Sequence, residues 1–231
     1  AAGTLTNVVA TAAGDLELAR GNSLSDIVWD FDDPMDTSVN WTAYITTTIV
    51  DGGPYQYFVD RSTSAGTGMQ RVDVVTFPIT IKVRIKLSSD TTSASLYISD
   101  GVVLFIIGFT PTSVSGDGGS YTVDNTIWQE YLIVCHDRSS CTVYLLVNGE
   151  WVDTGIGATA ASYTINRLLF YISSLGTGTF YIDDVKYAFS DYTIPYFTQG
   201  TRLSPVLDLS PVGIAASSSI SWNATVPTNT S

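Results

Sequence analysis

The nine residues ITIKVRIKL, positions 79 to 87, constrain this chain more than any other stretch. Apolar side chains stand at Ile79, Ile81, Val83, Ile85 and Leu87, and polar ones at Thr80, Lys82, Arg84 and Lys86. A repeat of two belongs to an extended strand; a helix would scatter those five apolar groups around its circumference. A strand with one apolar and one wet face needs paired neighbours at its edges and a second layer over its apolar side. Similar short signals recur near 4–10, 15–20, 26–32, 41–50, 55–60, 70–75, 93–99, 102–109, 120–123, 127–135, 141–148, 151–153, 163–173, 178–189 and 218–226, with Gly, Asp, Ser and Asn between them. No stretch carries a convincing amphipathic-helix pattern. Many strands and no helix predict an all-β, antiparallel two-sheet sandwich.

Composition narrows the function classes. Of 231 residues, 45% are hydrophobic and 14% charged, the reverse of a disordered chain. The longest apolar candidate, GVVLFIIGF, is too short to cross a bilayer as a helix and fits a buried strand. The net charge of −12 argues against nucleic acid and against an anionic membrane surface, both of which need neutralising cations. The acidity is lopsided, with 19 Asp against 3 Glu. Asp favours turns and calcium loops, whereas Glu favours helices.

The chain divides into an N-terminal extension at 1–14, a sandwich at 15–190, a Pro-, Gly- and Ser-rich linker at 191–217, and one lone strand at 218–231. A lone strand has nothing to pair with. It docks on this domain, opens another domain, or completes another subunit. Cys135 and Cys141 flank a short polar turn between two apolar strands, so they could face each other across a hairpin; the alternative is two free thiols in a reducing compartment. The sequons at Asn40, Asn223 and Asn229 are compatible with secretion. The opening AAGTLTNVV lacks a signal-peptide pattern and reads as a mature or trimmed start.

The order FPITIKVRIKL, SASLYISDG, TIWQEYLIVCHDRSSCTVYLLVNGEW and GTFYIDDVKYAF resembles the concanavalin A-like jelly rolls related to laminin-G domains. In those, a Trp-led strand runs into a hairpin carrying Tyr-x-Asn-Gly, and a late Ile-Asp-Asp-Val strand closes the sheet. VWDFDDPMDTSVNW looks like their acidic opening segment. The resemblance covers residues 26–190 and implies a jelly-roll sandwich with extended terminal segments. The tail SPVLDLSPVGIAASSSISWNATVP looks like connectors in modular bacterial, archaeal and phage surface proteins, which points to an extracellular setting at a cell or virion surface.

The resemblance also bears on a puzzle in GTFYIDDVKYAF. Asp183 and Asp184 sit side by side within an apolar strand whose successive residues face opposite ways. Related sandwiches carry a structural calcium where the last strand meets the N-terminal segment, and this implies Asp183 or Asp184 with Asp30, Asp32 or Asp33 as ligands. The other expectation is that one Asp faces solvent while its neighbour accepts backbone N–H groups at a bulge.

Catalysis is not expected. Glycosidases need a carboxylic acid and a carboxylate spaced across one bond. The Glu-x-Asp-x-(x)-Glu strand of the related glucanases is missing, and Glu17, Glu130 and Glu150 lie far apart. Jelly-roll polysaccharide lyases use Arg, Gln, His and Tyr on one sheet face; Gln70 and Arg71 mimic part of that set. The single histidine, His136, falls in the hairpin turn and reads as solvated. For glycan binding, Tyr55 and Tyr57 share strand parity beside a Gly-Gly-Pro turn with Arg61 close by, and Trp151 follows the Asn148-Gly149 turn. Trp41 and Trp128 read as core. The sequence therefore predicts a non-catalytic recognition or adhesion module for a glycan or cell-surface ligand. The alternatives are a filament or virion subunit joined to copies of itself by donated terminal strands, and a polysaccharide lyase or hydrolase.

Overall fold

The computed structural model describes residues 24, 27–45, 48–60, 66–157, 159–173, 177–192 and 194, and also the strand backbones at 4–6, 8–10, 16–18 and 201–203. Arg61, Asn223, Asn229, the expected strand at 218–226 and nearly all of the expected linker lie outside the described residues. The strands are β1 (Thr4–Thr6), β2 (Val8–Ala10), β3 (Leu16–Leu18), β4 (Phe31–Asp33), β5 (Thr42–Tyr44), β6 (Val50–Asp51), β7 (Gln56–Asp60), β8 (Thr67–Val72), β9 (Ile79–Leu87) and β10 (Ala94–Asp100). They continue with β11 (Val103–Thr110), β12 (Ser113–Gly116), β13 (Gly119–Thr122), β14 (Gln129–Cys135), β15 (Cys141–Val147), β16 (Glu150–Ile156), β17 (Thr159–Ser162), β18 (Asn166–Ile172), β19 (Gly178–Ala188) and β20 (Thr201–Leu203). No helix occurs among the described residues.

Two antiparallel sheets of eight strands face each other. Sheet I runs β16-β15-β14-β9-β19-β7-β6, with β4 added on β19; sheet II runs β13-β12-β11-β10-β18-β8-β5, with β17 added on β11. The alternating strand β9 sits inside sheet I between β14 and β19, where both of its edges are paired. Its five apolar residues are at most 1% exposed, and they meet Leu96, Ile98, Phe105, Ile107, Leu168 and Phe170 of sheet II in one core. Phe180 of β19 joins the layers, with ring centroids 5.6 Å from Phe58, 5.7 Å from Phe170 and 6.2 Å from Phe109.

The hairpins follow local chemistry. β15 and β16 are joined at Asn148-Gly149, both at positive φ (52° and 83°), as a two-residue hairpin turn requires. Cys135 and Cys141 are direct cross-strand partners and form a disulfide. The expected strand at 41–50 is instead two separate strands in different sheets, β5 and β6, and of the expected strand at 26–32 only Phe31 and Asp32 are in a strand, β4, while Ile27 N–H turns back onto Leu24 O at 3.2 Å. At the ends of the chain, β1 pairs with β20 and β2 with β3, each as a two-stranded sheet.

Candidate functional site

The Asp183-Asp184 pair is accommodated by a bulge. The register of β19 against β9 shifts between Asp183 and Lys186, where one extra residue opposes Val83, and Asp184 takes φ +48°. The extra residue resets the alternation, so Ile182, Val185 and Tyr187 all face the core while Asp183 and Lys186 project outward. Without it, Asp184 would point inward and Val185 outward. Both carboxylates are met by the polar face of β9. Arg84 Nη1 donates to Asp183 Oδ2 at 2.6 Å, and Lys82 Nζ donates to Asp184 Oδ2 and lies 3.2 Å from Glu130. Lys186 lies 2.9 Å from Asp32 and 3.5 Å from Asp184. Burial pushes Asp184 up, but the Lys82 hydrogen bond and charge, with Lys186, outweigh it and hold the carboxyl below its ordinary value. For Asp183 burial dominates over Arg84 and raises it.

These carboxylates do not fit a calcium ion. Asp183, Asp184 and Asp32 face lysines and an arginine. Asp33, 3% exposed, accepts Met35 N–H at 2.8 Å, Asn40 Nδ2 at 3.0 Å and Trp41 Nε1 at 3.0 Å, while Asp30 accepts Phe189 N–H at 2.7 Å. Among the described residues no three His, Cys, Asp or Glu side chains converge as a metal site. Asn40, the described sequon asparagine, is exposed with its amide on Asp33.

The outer face of sheet I has three zones. At one end Tyr55, Tyr57, Tyr181 and Trp128 form a half-buried cluster, with Tyr55 5.5 Å from Trp128, 5.9 Å from Tyr181 and 6.3 Å from Tyr57. Arg84 stands over Trp128 at 5.3 Å and Lys86 over Tyr181 at 5.1 Å. Trp128 is therefore on this outer face and not in the core, whereas Trp41 is buried as expected. The ion pairs occupy the middle. At the far end Leu132, Val134, Tyr144 and Trp151 are covered by Leu24, Trp29, Tyr192 and Ile194. Trp151, 2% exposed, lies beneath this cover, far from the open ring that a sugar platform requires. His136 Nδ1 lies 2.5 Å from Asp191, beside a depression of about 530 Å³ shaped by Phe77, Pro78, Asp100 and the hairpin turn.

The outer face of sheet II differs in chemistry. Tyr44, Tyr171 and Tyr97 step across β5, β18 and β10, with centroids 5.8 Å and 5.5 Å apart. Gly68 and Ser95 are the register partners of Tyr171 and leave no bulk beside it. A Cβ at Gly66 would come within 2.0 Å of the Tyr171 hydroxyl, so glycine is needed for that ring to lie there. Burial, with its neighbours Tyr171 and Tyr44, raises the Tyr97 phenol above its ordinary value. Gln70 and Arg167 hydrogen-bond within this face at 3.2 Å. Gln70 is thus a genuine member of it, while Arg71 turns to the other side, over the Phe31 ring at 4.0 Å and onto Asn40 O.

Comparison with known proteins adds the fold. No family model and no curated protein matches the sequence. A sialidase superposes with a TM-score of 0.52 at 14% identity over 70% of this chain, which spans 18% of the sialidase's length. A cellulose-induced protein gives 0.51 at 12% over 70% of this chain and 98% of its own, and a galectin-like-fold protein from Bacillus subtilis gives 0.50 at 5% over 71% and 97%. The fold is a concanavalin A-like jelly roll. At these identities the likeness is one of architecture.

Within this jelly roll the sequence singled out aromatic residues on the outer face of sheet I and none on the outer face of sheet II. Tyr55 and Tyr57 do meet, at 6.3 Å, on an outer face. Tyr44, Tyr97, Tyr163, Tyr171 and Arg167 were missed. The signal was present for Tyr97, which occupies a polar-parity position in ASLYISD between the apolar Leu96 and Ile98.

Proposed function

We propose that this jelly roll is an extracellular glycan-recognition module, and that its binding surface is the outer face of sheet II. The observation that carries this is the Tyr44–Tyr171–Tyr97 row beside Gln70, a set of half-buried rings and polar groups with small residues between them. Sugars bind by stacking apolar C–H faces on rings and by hydrogen bonds at the rim. The Cys135–Cys141 disulfide supports an oxidising setting. The placement of the carboxylates supports recognition without hydrolysis. Asp100 is the sole Asp or Glu in the eight strands of sheet II, and it is occupied by Arg138 at 2.6 Å and by the N–H groups of Val102 and Val103. A glycosidase needs two carboxyl groups roughly 5 to 9.5 Å apart flanking its substrate.

The test is a glycan array probed with wild type, Tyr97→Ala and Tyr55→Ala. The expected result is binding that Tyr97→Ala loses by about tenfold, as one stacked ring is worth about 1 kcal/mol or more, and that Tyr55→Ala keeps. Loss with Tyr55→Ala alone moves the site to sheet I.

A further inference from the structure

Arg167 is 3% exposed and sits on the binding face. A buried guanidinium normally has a carboxylate partner, because an uncompensated charge away from water is costly. Lys82, Arg84, Arg138 and Lys186 each pair with Asp or Glu. Arg167 has no carboxylate among the described residues. Its Nη1 donates to the neutral Gln70 Oε1 at 3.2 Å, its Nη2 donates to the Tyr163 hydroxyl, and its buried Nε–H has no partner. The guanidinium carbon lies 4.5 Å from the Tyr44 ring centre and 5.0 Å from that of Tyr163.

The charge distribution points the same way. The chain carries 22 acidic residues against 10 basic ones. Six of the eight strands of sheet I carry Asp or Glu, whereas sheet II has only Asp100, tied to Arg138. Among the described residues, the strands that flank Arg167 thus carry Asp100 as their one carboxylate, in an acidic molecule. The Nε–Nη2 edge of a guanidinium can hold both oxygens of one carboxylate. Here that edge meets only a phenol, a neutral partner that an anion outcompetes. Tyr163 leads into the exposed residues Thr164 and Ile165, on the connection from β17 to β18, where a ring can swing aside without unpacking the core.

We propose that Arg167 is the carboxylate-recognising residue of this face and that the ligand is an acidic glycan whose sugars bear carboxylates, with Tyr163 as the group it displaces. This rests on sheet II being the glycan-binding face.

Calorimetric titration of the whole chain with a linear oligouronate, a neutral oligosaccharide of equal length and a sulfated one tests it. The oligouronate is expected to bind at least about tenfold tighter than the other two. Arg167→Lys keeps the charge but loses the fork, and should weaken oligouronate binding about 10- to 100-fold, a clearly larger loss than for the neutral sugar. Tyr163→Phe should bind the oligouronate at least as tightly as wild type. If Arg167→Lys lowers thermal stability, the wild-type comparison and Tyr163→Phe decide. Equal binding of uronate and neutral sugars that still depends on Tyr97 overturns the Arg167 assignment and leaves the glycan face standing. Equal or tighter binding of the sulfated sugar overturns the carboxylate assignment. Binding of none of the three, or binding indifferent to Tyr97→Ala, removes the glycan face itself, and the assignment with it.

Discussion

At the scale of single residues, Asp184 shows how a sequence irregularity becomes a structural device. Its φ of +48° suits Asn, Asp or Gly and strains a β-branched residue, by about 1–3 kcal/mol. Asp184→Val should therefore destabilise the fold by about 2–4 kcal/mol, strain and lost ion pairs together, whereas Asp184→Asn should cost about 1 kcal/mol. Chemical denaturation of both variants checks the order. The pH dependence has a defined sign. Asp184 is held below its ordinary pKa in the fold, so its contribution is complete above the unfolded value near ~3.9 and is lost as pH falls through the lower folded value. The deficit of Asp184→Asn relative to wild type should be full at neutral pH and should shrink once the pH drops below about 4. Asp183 runs the other way, because burial raises its folded pKa and charging it costs stability as pH rises through the carboxylate range. The doubled Asp was visible in the sequence. Its partners were legible only in part: Lys82 and Arg84 stand out on the polar face of β9, but their register against β19 is set by a contact some 100 residues away in the chain.

At the scale of elements, two clamps hold strands where propensity alone would not. Asn125 is fully buried, donates its amide to Thr110 O at 2.8 Å and Ser113 O at 3.0 Å, and accepts the Tyr131 hydroxyl at 2.6 Å. It ties the β11–β12 turn of sheet II to β14 of sheet I. Asn125→Ala removes three hydrogen bonds, including the partner of the buried Tyr131 hydroxyl, and should cost about 3 kcal/mol; Tyr131→Phe, which removes one hydrogen bond, should cost about 1–2 kcal/mol. The disulfide closes a short loop, so Cys135→Ser with Cys141→Ser should lose roughly 2 kcal/mol. Equilibrium urea unfolding measures all three. Alternation made β9 and β10 readable, a continuous apolar run marked β11, and Asn148-Gly149 marked the β15–β16 hairpin. SVSG and TAAS, which became β12 and β17, carry little strand propensity and pair only because an edge of sheet II is presented to them.

At the scale of the molecule, the two sheets bury one core between them and turn different chemistry outward. Sheet I carries ion pairs and a covered apolar cluster; sheet II carries tyrosines with almost no acid. The fold class was legible because period-two alternation and turn residues are local. The proposed binding face was not, because a row such as Tyr44, Tyr171 and Tyr97 is assembled from strands distant in sequence, and core and surface aromatics look alike until register is known. Since Lys and Arg side chains already neutralise the clustered carboxylates, a chelator should leave the melting temperature unchanged, and added calcium should not raise it. The central claim is that the outer face of sheet II binds glycan. Backbone amide shifts, followed while an array-selected oligosaccharide is titrated into labelled protein, test it most directly. Shifts concentrated in β8, β10 and β18, around Gln70, Tyr97 and Tyr171, are the predicted result. Shifts centred on Tyr55, Tyr57 and Tyr181, or none at saturating sugar, contradict it.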